Sequence, residues 1–313
     1  MGNQLTLDPI ARLSQDGNTP DHNALSWYWC TTHVLSASAS LELEGECRVQ
    51  YMSAREAESL ATQVQRRHVF SRHSRENDFY VKRAMDLGDR TVIEVRRKGD
   101  PNSNGEQAIR TARRIERLVV LSTIPVLDRV SLLKRLGISG AFGQNIDFAI
   151  DPHFRFVRSR TQREAKREGV HVDGTLVRRF KRCGFDTLWV YLSTNSDLAE
   201  RVERSQTWLF DSRTEHGLSA ATVKTAVALE SLLILAESES LAQTLSERAA
   251  FILTRDPSRR RTVGKLIKRF YDVRSGVVHG GSKKTKKPTV ELLDIIDRIV
   301  IFLHLILAAN TRL

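Results

Sequence analysis

The chain reads as α+β overall: a mixed α/β region of unassigned topology over residues 1–194, then an all-α helical bundle over residues 195–313. Short runs with period-two alternation cluster in the first part. A polar break, Ser193-Thr194-Asn195-Ser196, marks a change of texture, and long apolar runs at helical spacing follow it.

In the first part, residues 26–52 alternate in pieces such as Leu41-Glu42-Leu43-Glu44 and Cys47-Arg48-Val49-Gln50-Tyr51, which predicts two or three strands. Residues 54–67 predict a helix and residues 90–97 a strand. The latter is closed by the turn-rich run Gly99-Asp100-Pro101-Asn102-Ser103-Asn104-Gly105. Residues 107–121 and 126–136 read as helices, and residues 145–157 alternate as strands do. In the second part, residues 197–211 form a helix with Ser196 expected as its N-cap. Helices follow at 219–236, 241–254, 263–278 and 289–309, with breaks at Asp256-Pro257-Ser258 and at Gly280-Gly281.

Composition narrows the function classes. Apolar residues make up 41% of the chain, enough for packed cores, and the formal charge is +12. That excess favours polyanions, nucleic acid before acidic membrane. Cys30, Cys47 and Cys183 are widely spaced, with no paired Cys-x-x-Cys, so neither a disulfide framework nor a zinc knuckle is expected. His68, His73, His153 and His171 lack companions at ligand spacing, so no metal and no cofactor is expected. Gly137, Gly140 and Gly143 lack the strand and lysine of a phosphate loop. The chain shows no basic start followed by an apolar stretch, so no signal peptide is expected. Residues 299–309 are too short to span a bilayer, which needs about 20 residues. They predict a buried core helix in a cytoplasmic protein without a membrane partner. Trp27, Tyr28 and Trp29 are expected in a core or interface.

The chemistry-bearing segment is Lys268-Arg269-Phe270-Tyr271-Asp272-Val273-Arg274-Ser275-Gly276-Val277-Val278-His279-Gly280-Gly281. A histidine exchanges protons near neutral pH, and an arginine grips phosphate with a planar fork. Five residues on a helix turn about 500°, which points the two side chains about 140° apart. They converge on one phosphate only if the helix ends between them or a second chain contributes. Glu230 interrupts an apolar helix, so its carboxylate is expected to be buried and to meet an arginine. Arg248 and Arg274 are the candidates, either as a structural ion pair or to orient Arg274. Lys283, Lys284, Lys286 and Lys287 follow the motif, and either steer nucleic acid or keep a loop solvated. Residues 155–182 hold ten Lys or Arg against three acids, including Arg178 and Arg179, with Phe154, Phe156 and Phe180 nearby. They read equally as an RNA-binding face or a solvated helix.

The motif segment resembles the signature of the HEPN domain family, an Arg, four to six residues, then a His at a helix end. Its wording is similar to the Apea-like HEPN branch, as are Ala228-Leu229-Glu230-Ser231-Leu232-Leu233 and Leu245-Ser246-Glu247-Arg248. The resemblance covers residues 195–313. It implies a metal-independent endoribonuclease, in host defence or a toxin-like role, or a non-catalytic relative that dimerises and binds RNA or a protein. It further implies a homodimer through the C-terminal domain, with the two motifs meeting across a twofold axis. In that arrangement Arg274 holds the scissile phosphate and His279 transfers protons. Tyr271, Asp272 and Ser275 support the site; Ser275 stands where many members have Asn, Asp or His. The N-terminal region is expected to take a regulatory ligand or protein.

Overall fold

The computed structural model describes residues 24–30, 35–43, 47–68, 90–98, 101–136, 139–150, 156–166, 169–194, 196–234, 241–279 and 287–310. They form two compact units. One holds the described residues up to Arg113 with Phe142–Glu164, and the other holds Arg114–Ala141 with the residues from Ala165 onward. The fold is α+β, an antiparallel sheet followed by a helical bundle.

The first unit is built on strands β1 (Ala24–Cys30), β3 (Leu41–Leu43), β4 (Cys47–Met52), β5 (Arg90–Lys98), β6 (Ser139–Ile150) and β7 (Phe156–Lys166), in the order β3-β4-β5-β1-β6-β7. A three-residue strand β2 (Leu35–Ala37) and helix α1 (Ala54–His68) complete it. The alternation Leu41-Glu42-Leu43 does what its pattern predicts, with both leucines buried and Glu42 exposed. Strand β5 is covered on both faces, from Thr91 to Val95. Glu94 is therefore buried. Burial opposes its ionisation, but Arg48 directly across on β4 and Arg96 hold its carboxyl below the usual range. Tyr28 is buried. The side chains of Trp27, Trp29 and Cys30 lie outside the described residues, as do His73, His153 and Phe154 and the side chains of His68 and Phe156.

The run after β5 does not continue as a turn. Helix α2 (Pro101–Leu121) starts at its proline, because a first-turn position needs no N–H donor and suits the fixed φ of proline. The helical unit is also larger than residues 195–313, since it takes in the end of α2, α3 (Arg129–Leu136), β8 (Val170–Val172), α4 (Gly174–Arg182) and α5 (Phe185–Leu192). Helix α4 lies in the basic run offered as an RNA-binding face or a solvated helix, yet it buries Leu176 and Phe180, the latter against Phe185. Gly184 makes the bend between α4 and α5 at φ 83°, a conformation that strains other residues. Gly140 and Gly143 lie within β6.

The bundle continues with α6 (Asp197–Arg213), α7 (Leu218–Leu233), α8 (Leu241–Leu253), α9 (Pro257–Val278) and α10 (Val290–Asn310). Ser196 caps α6 through the Ala199 N–H, as expected, and Asp256 with Pro257 starts α9. Ser205 Oγ donates to the Ala228 carbonyl and Ser212 Oγ to that of Ala221. Seven residues forward on α6 thus match seven back on α7, so the pair is antiparallel. No helix among the described residues is long and apolar enough to cross a membrane.

Charged groups lie in the centre of this bundle. Asp297 on α10 accepts from Arg129 Nη2 at 2.8 Å and from Thr225 Oγ1 at 3.0 Å, and Arg213 Nη1 lies 3.3 Å away. Arg129, Arg213 and Asp297 are all 0% exposed. Arg129 also donates to the carbonyl and hydroxyl of Ser212, while Arg213 reaches Asp294 at 2.5 Å and the Leu127 carbonyl at 2.9 Å. Removing Asp297 leaves two guanidiniums buried without their shared anion. Asp297→Ala is expected to cost about 3–5 kcal/mol in urea unfolding; a loss below about 1 kcal/mol would show that water replaces the carboxylate.

His304 on α10 is likewise fully buried, its Nε2 2.8 Å from Ser205 Oγ. The Ser205 proton goes to Ala228, so His304 carries its proton on Nε2. Burial pushes its pKa down from 6.5 to about 3. Below 6.5 the unfolded chain binds a proton that the folded chain refuses. This contribution to stability is complete above pH 6.5 and is lost as pH falls toward 3. His304→Gln is expected to flatten the pH dependence of the unfolding free energy from urea titrations in that window, by up to about 1.4 kcal/mol per pH unit. An unchanged slope contradicts a neutral, buried imidazole.

Candidate functional site

The motif lies where its spacing puts it, at the end of α9. The helix runs to Val278 and His279 is its C-cap, with its backbone N–H donating to the Ser275 carbonyl at 3.0 Å. The turn therefore continues unbroken from Arg274 to His279. The two side chains diverge: Arg274 faces Glu230 on α7, and His279 is exposed. No hydrogen bond or ion pair joins them among the described residues.

Arg274 belongs to a three-residue cluster. Tyr271 and Arg274, one turn apart on α9, both meet Glu230. The Tyr271 hydroxyl donates to Glu230 Oε1 at 3.0 Å and lies 3.4 Å from the Ala226 carbonyl. Burial, with the nearby carboxylate, raises the phenol pKa far above its ordinary value, so Tyr271 is a fixed donor. Arg274 Nη2 lies 3.7 Å from Glu230 Oε1, longer than a hydrogen bond. The guanidinium is thus held by charge without being saturated, and its Nε is buried with no partner.

Two expectations about Glu230 change. Its side chain is 23% exposed, because it sits on the edge of the α7–α9 contact and not in the bundle centre. Arg248 is not its partner. Arg248 Nη1 donates to the Leu233 carbonyl at 2.5 Å, and Arg201 donates to the carbonyls of Ser231, Leu232 and Ile234. Both arginines satisfy the open carbonyls at the C-terminal end of α7, where positive charge is also favourable. Arg201 is not legible in the sequence, because such capping leaves no fixed spacing.

Asp272 and Ser275 are exposed on the outer side of α9. Lys287 is exposed just before α10, while Lys283, Lys284 and Lys286 lie outside the described residues. Arg178 is exposed and Arg179 half-buried on α4, a helix apart from the motif helix, and Phe180 beside them is core and not a base-stacking platform. Among the described residues no three His, Cys, Asp or Glu side chains gather as a metal site. The structure adds Arg261 and Lys265, exposed residues on α9 upstream of the chemistry-bearing segment, and it exposes Lys268, the first residue of that segment. Their signal in the sequence is their common spacing with His279.

Because Glu230 is part-exposed, Glu230→Ala is expected to cost about 1–2 kcal/mol, below the about 3–5 kcal/mol of a fully buried pair. With Tyr271→Phe added, the total in urea unfolding should fall short of the two single costs summed. Strict additivity would separate the phenol from the carboxylate.

No family model matches the chain, and neither a curated protein nor a solved structure matches it.

Proposed function

We propose that the helical unit is a HEPN-type endoribonuclease that works without a metal, as a homodimer, in host defence or a toxin-like role, with the sheet-bearing unit as sensor or regulator. The observation that supports this reading most is the unsaturated guanidinium of Arg274, oriented by Glu230 and Tyr271, on the helix that ends in an exposed His279.

In this reading Arg274 grips the phosphate and concentrates charge where it develops. An imidazole takes the 2′-hydroxyl proton as that oxygen bonds to phosphorus. The bond from phosphorus to the 5′-oxygen breaks, a proton reaches the departing oxygen, and a 2′,3′-cyclic phosphate remains. The divergence of Arg274 from His279 within one chain calls for a second protomer at the same phosphate. Ile295 and Phe302, exposed and seven residues apart on α10, supply one apolar face for such a partner. A second reading, a HEPN domain that binds RNA or a protein without cutting, is favoured by the same divergence and by Ser275.

His279→Ala is expected to abolish RNA cleavage and leave folding and RNA binding intact. Arg274→Ala should lower both rate and affinity, and Arg274→Lys should not restore them, since a point charge replaces a fork. Cleavage should persist in EDTA, leave a cyclic phosphate and spare DNA, which lacks the 2′-hydroxyl. Light scattering should give about twice the 35.5 kDa chain mass. Activity lost on chelation, or equal cutting of single-stranded DNA, overturns the mechanism; binding without any cleavage selects the second reading.

A further inference from the structure

Helix α9 has two unlike sides. Ile267, Phe270, Tyr271 and Val273 are buried. Opposite them, Arg261, Lys265, Lys268, Asp272, Ser275 and His279 are all exposed. Successive steps of four, three, four, three and four residues keep these six within about 40° of one line on an α-helix. The line runs about 27 Å, at about 1.5 Å per residue. Its first half is cationic. Arg261, Lys265 and Lys268 make no hydrogen bond or ion pair with any described residue. The neighbouring Arg259 and Arg260 are engaged instead, with Asp256 and with Thr254 and Phe251. A line of cations without partners among the described residues has its charge free for a polyanion. It offers no apolar strip of the kind that would seat a membrane surface.

We infer that this face of α9 is a track for single-stranded RNA, along which Arg261, Lys265 and Lys268 hold successive phosphates and lead the strand to His279. The track rests on the RNA reading above but not on cleavage. Its chemistry is backbone attraction without base readout, so binding is sequence-tolerant and strongly salt-dependent. Asp272 breaks the line between Lys268 and His279. A carboxylate there repels the passing phosphates, so the strand is held upstream of the motif and less tightly beside it.

The test uses the full chain and a fluorescent single-stranded RNA methylated at every 2′-oxygen, which cannot be cut by its own hydroxyl. Binding is followed by anisotropy across a salt series, with circular dichroism to check folding. Lys265→Gln with Lys268→Gln should reduce the steepness of log K against log salt by about 1.4, about 0.7 for each phosphate no longer neutralised. A charge-matched control, Arg55→Gln with Arg110→Gln on two exposed sites elsewhere, should leave the slope unchanged. Asp272→Asn should tighten binding several-fold, a gain that a merely structural aspartate would not give. Equal losses in the α9 variant and the control, or no gain in Asp272→Asn, overturns the track. Equal dependence of anionic lipid vesicle binding on Lys265 and Lys268 would assign the face to a membrane instead. If unmodified RNA is bound with this pattern but never cut, the nuclease reading falls and the track stands.

Discussion

A single carboxylate, that of Asp297, sits between two fully buried guanidiniums. Taking three charges out of water costs several kcal/mol each, and the cost is offset only when geometry and hydrogen bonding are complete. Here they nearly are. Asp297 is met by Arg129, Arg213 and Thr225, and the remaining guanidinium donors reach Ser212, Asp294 and the Leu127 carbonyl, apart from the two Nε groups. Apolar contacts tolerate sliding by a residue; this arrangement does not. It sets the register of α3, α6, α7 and α10 together, and Asp294 also accepts from the backbone N–H that opens α3.

The motif inherits its position from that register. Thr225, bonded to Asp297, lies one residue before Ala226, whose carbonyl faces the Tyr271 hydroxyl, and Glu230 follows one turn later. Glu230 in turn holds Arg274. A shift of α7 by one residue would turn Glu230 away from α9 by about 100°. The buried charges and the surface guanidinium are therefore linked through one rigid helix, although Arg129 and Arg274 do not touch.

Much of the bundle was legible because its helices carry plain signals, Ser196 as a cap and a dense apolar α10, whereas Asp256-Pro257-Ser258, read as a break before a helix at 263, instead starts α9 at Pro257. The motif was legible as a segment, and its divergence follows from five residues on an unbroken helix. The reading of residues 155–182 changed because charge is an unreliable mark of surface. Helix α4 is rich in Arg and Lys yet buries Leu176 and Phe180, because amphipathic helices need only one stripe for the core. Asp294 and Asp297 stand in an apolar helix just as Glu230 does, and the same question, which cation meets them, was answerable in kind. It was not answerable in detail, since Arg129 lies 168 residues from Asp297 in the chain. Glu230 shows the converse: an acid in an apolar helix sits at the boundary of a contact when its stripe turns outward.

Helix α9 brings these threads together. With 3.6 residues per turn, it cannot give Arg274 to the bundle and also place it beside His279. The side that anchors is Tyr271 with Arg274; the side that meets solvent is Lys265, Lys268, Asp272 and His279. The proposed binding of RNA along the outer side needs one chain alone, since Lys265 and Lys268 on it are already exposed. The proposed cleavage needs Arg274 and His279 at one phosphate, which a single unbroken helix does not supply. The two activities therefore make different demands on assembly. A protein whose affinity resides in one protomer and whose chemistry requires two would bind RNA at any concentration sufficient for the track, and cut it only where protomers meet.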